Sequence, residues 1–157
     1  MAVRLKRAYE PAASSDGYRV LIDRLWPRGV SRKRAKLDGW ERELPPSTEL
    51  RQWFGHEPSR FEAFRRRYIE ELRCERPRLA ELRRRARNGM LTLVYSASDT
   101  EHNDAVVLAD VLRRGLPKAE EKGESLRGAL RGARRRSLDS PGRPDTSKPH
   151  AREGART

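Results

Sequence analysis

The segment Tyr18-Arg-Val-Leu-Ile-Asp23 decides the fold class of this chain. Its apolar run Val20-Leu21-Ile22 is typical of a strand that is covered on both faces. Leu91-Thr-Leu-Val-Tyr95 is a second segment of this kind, and Val3-Arg-Leu-Lys-Arg-Ala-Tyr9 alternates apolar and basic residues as a half-buried strand does. We therefore predict three main strands, with residues 18–23 as the central one.

Helical patterns separate these strands. Ser31 can cap a short helix that ends at Leu37, and Ser47 can cap a helix that runs from Thr48 to Phe54. Between them, residues 39–44 alternate and predict a short strand that ends before Pro45-Pro46. Strands separated by helices predict an α/β fold, with a small, mainly parallel sheet whose faces are covered by helices. The order of the strands stays open.

Three longer helices are predicted after residue 58. Ser59-Arg-Phe-Glu62 and Ser98-Asp-Thr-Glu101 have the spacing of a capping box, so a helix is expected to begin at each. The second of these boxes places His102 in the first turn of its helix. Pro77 interrupts the first helix, and another helix then runs to Asn88-Gly89.

The composition divides the chain into two regions. Only 35% of the residues are hydrophobic, and from residue 117 onward there is no aromatic residue, no Ile and no Val. Such a segment cannot bury enough apolar surface to fold alone. We predict an α/β domain in residues 1–116 and a basic, disordered tail in residues 117–157.

The formal net charge of +13 has two interpretations. Clustered basic residues neutralise phosphates, which favours a nucleic-acid partner. Most of the basic residues are Arg, however, and a GC-rich genome produces this bias without any partner. The lone Cys74 excludes an internal disulfide and is interpreted as structural. With no apolar stretch near the length that crosses a bilayer, we expect a cytoplasmic protein without membrane association.

Three segments carry a family resemblance: Asp23-Arg-Leu-Trp-Pro-Arg-Gly29, Ser47-Thr-Glu-Leu-Arg-Gln-Trp-Phe-Gly-His56 and Leu93-Val-Tyr-Ser-Ala-Ser-Asp-Thr-Glu-His-Asn103. Together they resemble the YeaO-like family of uncharacterised bacterial proteins, a branch of a larger group of domains of unknown function. The resemblance spans roughly residues 3 to 114 and implies an α/β fold but no established activity. The larger group often has a Cys-His-Arg pattern in the loop after the last strand. Here that loop contains Glu101-His102-Asn103, so the resemblance implies no nucleophilic cysteine.

The loops that follow the two buried strands form the candidate site. Ligands of open parallel sheets bind beyond the carboxyl ends of the strands, and neighbouring strands would bring residues 23–28 and 95–103 together. Arg28, and then Arg24, are the candidate anion-binding residues, because a guanidinium group can bind a carboxylate or phosphate through two hydrogen bonds. A structural salt bridge to Asp23 or Asp99 is the alternative. Trp26 and Trp53 could stack on a planar ligand or could be packing residues.

Further side chains complete this candidate site. Asp23 ends a buried strand, where a carboxylate either anchors the Arg-rich loop or transfers protons. His102 is the other candidate acid or base, and a polar or capping role is its alternative. His56, Tyr95, Asp99 and Asn103 are candidate ligand-binding residues. A metal site formed by both histidines and a carboxylate is conceivable, but we favour no metal, and the sequence identifies no cofactor.

Three functions are compatible with these features. The first is an enzyme-like domain that binds a small anionic or nucleotide-type ligand at the ends of the strands. The second is a nucleic-acid-binding module that uses residues 83–87 and the cluster Arg134-Arg135-Arg136 in the tail. The third is an interaction protein without catalysis. No P-loop, dinucleotide fingerprint or nucleophile elbow is present to decide among them.

Overall fold

The computed structural model describes residues 1–119, and its central element there is a four-stranded sheet. The strands are β1 (Ala2–Arg7), β2 (Tyr18–Leu21), β3 (Gly39–Trp40) and β4 (Met90–Tyr95). They lie in the order β1-β4-β2-β3, and every pairing is parallel. The predicted α/β fold with a parallel sheet is confirmed, and β2 and β4 occupy its centre.

Five α-helices cover the sheet within the described residues. They are α1 (Arg32–Ala35), α2 (Thr48–Phe54), α3 (Phe61–Leu72), α4 (Arg76–Asn88) and α5 (Asp104–Arg114). Apolar side chains of α2 to α5 pack with Val20, Leu91 and Leu93 in the main core. On the opposite face, α1 and the loop before it cover Leu21 and Val94 in a smaller cluster. Because side chains alternate along a strand, β2 and β4 contribute to both clusters.

The helix starts follow only some of the capping patterns. Ser31 and Ser47 cap α1 and α2, since their hydroxyls accept from the N–H groups of Arg34 and Leu50. The two predicted capping boxes are wrong. α3 is preceded by a 3₁₀ turn, Pro58–Arg60, which takes up Ser59, and no side chain caps it.

The start of α5 differs most from its prediction. Asn103 is the cap, with its Oδ1 accepting from the N–H of Val106 at 2.9 Å. Residues 98–102 remain in the loop because the Asp99 carboxylate accepts from the N–H groups of Glu101 and His102, both at 2.9 Å. His102 therefore precedes the helix.

Two further boundaries follow from simple causes. β3 ends at Trp40, although residues 39–44 alternate, because its neighbour β2 ends at Leu21 and offers no further pairing. Pro77 lies in the first turn of α4, where its missing N–H costs nothing, and a 3₁₀ turn, Arg73–Glu75, separates α4 from α3. The predicted interruption near Pro77 is confirmed.

A buried carboxylate joins the strands on the face that α1 covers. Asp16 is 0% exposed, and its oxygens lie 2.6 Å from the Arg19 guanidinium, 3.1 Å from Lys6 Nζ and 3.1 Å from Arg4 Nη1. Its carbonyl oxygen accepts from the hydroxyl of buried Thr92 at 2.7 Å. Asp16 thereby links β1, β2 and β4.

The first compact unit of the chain runs from Met1 to Pro117. The predicted tail lies outside the described residues from residue 120 on, so its disorder and the boundary at residue 116 stay predictions. Among the described helices, none is both long enough and apolar enough to cross a membrane.

The charge of Asp16 should stabilise the fold in a pH-dependent way. Burial alone raises its pKa, but hydrogen bonds from the Ala13 N–H, Lys6 and Arg19 outweigh this effect and lower the pKa from 3.8 to about 2. A lowered pKa gives stability that is present above pH 4 and is lost as the pH falls toward 2. We expect Asp16→Asn to lower the free energy of unfolding by about 1–2 kcal/mol at pH 7, because water screens the partly exposed Arg4 and Lys6.

Urea unfolding of both proteins from pH 7 to pH 2.5 measures this difference, which should shrink as the pH falls. Glu43→Gln is the control, because Glu43 is exposed. An Asp16→Asn penalty that is the same at pH 7 and pH 2.5 would show that the carboxylate charge is not what stabilises the fold.

Gly17 should tolerate no side chain. Its φ is +63°, and a Cβ would lie 2.3 Å from the carbonyl oxygen of Met90, across the β2–β4 pairing. We expect Gly17→Ala to lower the free energy of unfolding by more than about 2 kcal/mol. Gly89→Ala is the matched control, because no atom lies within 4 Å of its Cβ position and its φ of 164° is extended. Chemical denaturation of both variants tests this, and equal stabilities would contradict it.

Candidate functional site

The carboxyl ends of β2 and β4 meet, as predicted from the two buried segments. The register pairs Leu21 with Val94, and the N–H of Ile22 donates to the Val94 carbonyl at 3.0 Å. Just beyond, Asp23 Oδ2 accepts from the Ser96 N–H at 2.9 Å and from the Ser96 hydroxyl at 2.5 Å. The two loops are therefore joined close to where each of them begins.

A cleft of about 830 Å³ opens at this edge of the sheet. Its walls are the loop after β2, the loop after β4 and one side of α2, with Pro45 and Pro46 between them. Seven of the ten predicted site residues line it, namely Asp23, Arg24, Trp26, Arg28, His56, Asp99 and Asn103. The other three, Trp53, Tyr95 and His102, do not line this cleft.

Two carboxylates with raised pKa values lie in the cleft. Burial raises the pKa of Asp23, against the hydrogen bonds from Ser96. Burial, followed by the negative charge of Asp23, raises the pKa of Asp104 from 3.8 to about 7. The positive charge of Arg51 lowers both values in part. A carboxyl group whose pKa is raised to about 7 can donate a hydrogen bond, when protonated, as well as accept one.

The two candidate anion-binding arginines differ in their surroundings. The Arg24 guanidinium donates to the carbonyl oxygens of Pro45 at 3.3 Å and Pro46 at 3.0 Å, so it holds the cleft wall in place. Arg28 is exposed and forms no hydrogen bond or ion pair with another described residue. Neither side chain forms the alternative salt bridge with Asp23 or Asp99.

Asp99 organises the loop before α5. One of its oxygens accepts from two backbone N–H groups, and the other lies 3.0 Å from Nδ1 of His102. The hydrogen bond from the His102 backbone N–H contributes most to holding the pKa of Asp99 below its ordinary value. The Asn103 amide donates to the Asp99 carbonyl at 2.7 Å. His102 also packs edge-on against Phe61, with ring centroids 5.2 Å apart.

The predicted aromatic residues separate in space. Trp26 lines the cleft, and its indole N–H donates to the Val30 carbonyl at 2.6 Å. Trp53 packs against the main core with the Arg67 guanidinium 4.2 Å from its ring centroid. Tyr95 is only 4% exposed, and burial raises the pKa of its hydroxyl, which pairs with the Asn103 side chain.

The histidines do not form a metal-binding group with the neighbouring carboxylates. In residues 1–119, no set of three or more His, Cys, Asp or Glu side chains is arranged to hold a metal ion. His56 is exposed, with a φ of 56°, and its ring lies 6.2 Å from that of Phe54. Its position at the cleft suits contact with a ligand, while His102 faces Phe61 instead.

Sequence reasoning did not select Ser96, Arg51 or Asp104 as site residues. An acid in the first turn of a helix is ordinary, so Asp104 carries no signal by itself. Arg51 lies one turn after Thr48, and both line the cleft. The predicted cap at Ser47 fixes the start of the helix, and residues three apart on a helix lie on the same face. These two facts together could have identified Arg51 as a neighbour of Thr48 on one side of the helix.

One acidic residue compensates part of the Arg-rich face of α4. Glu81 binds Arg84 at 2.7 Å and Arg85 at 3.3 Å, and Arg85 also lies over the ring of Tyr18 at 3.9 Å. The second basic cluster of the nucleic-acid hypothesis, residues 134–136, lies outside the part of the chain that the structure describes.

A family model described as the inactive DUF488-N3 subclade matches residues 2–128. This chain belongs to that family. It is 48% identical over 116 residues to the uncharacterized protein YeaO of Escherichia coli K12, covering 72% of this chain and 98% of YeaO. The predicted kinship with YeaO-like proteins is thereby confirmed.

Further relatives, less similar in sequence than YeaO, come from mycobacteria. Uncharacterized proteins of Mycobacterium bovis and Mycobacterium tuberculosis are each 40% identical over 110 residues, which covers 70% of this chain and 92% of theirs. No solved structure shows a significant match.

The pKa of Asp104 should depend on Asp23. Because the Asp23 charge raises the pKa of Asp104, Asp23→Asn should move it down from about 7 toward 3.8. ¹³C NMR titration of the side-chain carboxyl groups measures the change directly. Asp99→Asn is the control, since Asp99 is not among the causes of the Asp104 shift, and it should leave that pKa unchanged. An Asp104 that titrates near pH 4 in the unmodified protein would contradict the pairing.

Proposed function

We propose that the cleft binds a small anionic, nucleotide-type ligand and holds it without turnover. The observation that carries this proposal is Arg28. It is an exposed guanidinium group at a cleft, without a hydrogen bond or ion pair to any described residue. A phosphate or carboxylate supplies two parallel acceptors for such a group, and charge-assisted hydrogen bonds of this kind are among the strongest in proteins.

The other lining groups suit the remainder of a nucleotide-type ligand. A volume of about 830 Å³ lies within the range of small-molecule sites, about 300–1,000 Å³. Leu25 and Tyr9, which are 74% and 43% exposed, offer apolar surface in the lining. Asp23 and Asp104 can accept from amino or hydroxyl groups, and protonated Asp104 can also donate.

Binding is favoured over catalysis by two considerations. The family model that matches the chain is described as an inactive subclade. The loop after β4 contains Glu101-His102-Asn103, where the larger group often has a cysteine. A nucleotide-type ligand also fits the cytoplasmic location expected from the sequence, and that location remains a prediction.

Acid–base chemistry is the second candidate function, and the pKa of Asp104 favours it. A carboxyl group that titrates at about 7 can both donate and accept a proton at neutral pH. Asp23 would then modulate this group through its charge, instead of transferring the proton itself. His102, the other predicted acid or base, faces Phe61 and is less well placed for this role.

A thermal-shift screen of the full chain tests the proposed binding. Phosphate, sulfate, nucleoside mono-, di- and triphosphates and small dicarboxylates are the probes. A ligand at 100 times its Kd stabilises the native state by about 2.7 kcal/mol, so a true ligand should raise the Tm by several degrees. Arg28→Ala should abolish this increase while changing the Tm of the free protein little, because Arg28 makes no contact that stabilises the fold.

Arg66→Ala is the matched control, because Arg66 is also exposed and lies on α3, outside the lining of the cleft. It should retain the full ligand-induced increase. If Arg28→Ala instead lowers the Tm of the free protein by several degrees, Arg28 has a structural role. If no probe stabilises the protein, the non-catalytic interaction protein becomes the better explanation.

A further inference from the structure

The segment before β3 has an unusual concentration of positive charge. Residues 28–36 contain five Lys and Arg residues and no Asp or Glu. Arg32, Lys33, Arg34 and Lys36 are all exposed on or beside α1. None of these four forms an ion pair with another residue of the described region.

Basic residues elsewhere on the domain have a different environment. Each of α3, α4 and α5 carries acidic residues among its arginines, and five arginines form ion pairs there, as Arg78 does with Glu75 at 3.1 Å and Arg114 with Asp110 at 3.1 Å. Six arginines of these helices form no ion pair within residues 1–119, namely Arg66, Arg67, Arg76, Arg83, Arg87 and Arg113. Residues 28–36 differ from these helices because they contain no acid at all, and none of their four cations on or beside α1 is paired with a described residue.

Two tryptophans fix part of this charge in position. Trp26 and Trp40 pack edge to face with ring centroids 5.5 Å apart, and the Arg32 and Arg42 guanidinium groups lie over them at 5.4 and 3.8 Å. Cation–π contacts reduce the conformational entropy that these side chains would lose on binding an anion. Because the rings already hold guanidinium groups and each other, they are not open platforms for stacking bases.

The acids closest in sequence are already engaged. Asp38 accepts from the backbone N–H of Arg19 at 2.8 Å, and Glu41 lies 3.2 Å from the Arg78 guanidinium. Neither forms an ion pair with a cation of residues 32–36. A partner with regularly spaced negative charges would complement this surface better than any described acid of the chain does.

We propose that Arg32, Lys33, Arg34, Lys36 and Arg42, here called the basic face, bind the phosphate backbone of duplex nucleic acid without sequence preference. Backbone contacts need positive charge and no access to bases. The basic face supplies five cations, and the tryptophan rings hold two of them, Arg32 and Arg42, in place. The basic face is a different site from the cleft and its proposed ligand. It also differs from the two regions that the sequence suggested for nucleic-acid binding, namely the Arg-rich face of α4 and the cluster at residues 134–136.

The test is fluorescence anisotropy of a labelled 20-base-pair duplex with the full chain, over a range of salt concentrations. The variant Lys33→Gln/Arg34→Gln/Lys36→Gly removes three charges and leaves both cation–π pairs intact. Lys36 has a φ of 46°, a conformation that glycine adopts without strain, so this substitution should not destabilise the fold. The control Arg66→Gln/Arg76→Gln/Arg87→Gln removes the same charge from α3 and α4.

We expect the slope of log K against log salt to become shallower by about 2–3 in the basic-face variant, with affinity lower by at least about tenfold at 0.1 M salt. The control should keep a slope close to that of the unmodified protein. Lys36→Gly alone should reduce the slope by about 1 without lowering the Tm.

Three results would overturn the proposal. Equal losses in the two triple variants would mean that binding follows net charge alone. Unchanged binding in the basic-face variant would assign the contacts to another part of the chain. If that variant lost binding to vesicles of phosphatidylserine and phosphatidylcholine but kept its affinity for the duplex, the surface would be a membrane contact.

Discussion

The ion cluster around Asp16 is the constraint on which the rest of the domain depends. A carboxylate with no exposure to water is costly unless charges and hydrogen bonds compensate it, and Arg19, Lys6 and Arg4 supply these from two strands. β1 and β2 do not pair with each other, because β4 lies between them. Asp16 spans that gap, and its carbonyl oxygen holds Thr92 of β4 as well.

The candidate site is a consequence of this strand order. Once β4 is inserted beside β2, Asp23 and Ser96 become neighbours although they are far apart in the sequence. The same geometry brings the start of α5 toward Asp23, and the pKa of Asp104 rises because two carboxyl groups then share one poorly solvated region. Charged side chains therefore lie at both ends of the central strands. At the amino ends, Asp16 and its basic partners stabilise the fold. At the carboxyl ends, the negative charge of Asp23 adds to the effect of burial and raises the pKa of Asp104.

Local patterns predicted the parts of the fold that depend on nearby residues. The buried strands, the caps at Ser31 and Ser47 and the meeting of two loops at one sheet edge follow from periodicity and from the geometry of parallel strands. The two capping boxes failed for different reasons. At α3 a 3₁₀ turn takes up Ser59, and no side chain caps the helix. At α5 the Asp99 carboxylate accepts from the N–H of Glu101, and Asn103 caps the helix instead of Ser98.

Other features required the tertiary structure. Asp104 is an ordinary first-turn acid until Asp23 is placed near it, and no local pattern encodes that proximity. The strand order also could not be predicted from local patterns. An apolar run indicates that a strand is buried, but it does not indicate which strand lies beside it. Arg24 and Arg28 look alike in the sequence and differ only because the carbonyl groups of Pro45 and Pro46 approach one of them.

The unequal size of the two apolar clusters has a consequence for dynamics. The main core contains 22 buried residues among those described, whereas the cluster beneath α1 contains five: Ala8, Leu21, Val30, Ala35 and Val94. Opening the smaller face exposes far less apolar surface, so it requires less free energy than global unfolding. Backbone amides of residues 24–37 should therefore exchange with solvent through sub-global openings while the β4 amides stay protected, which makes one wall of the cleft a separate cooperative unit.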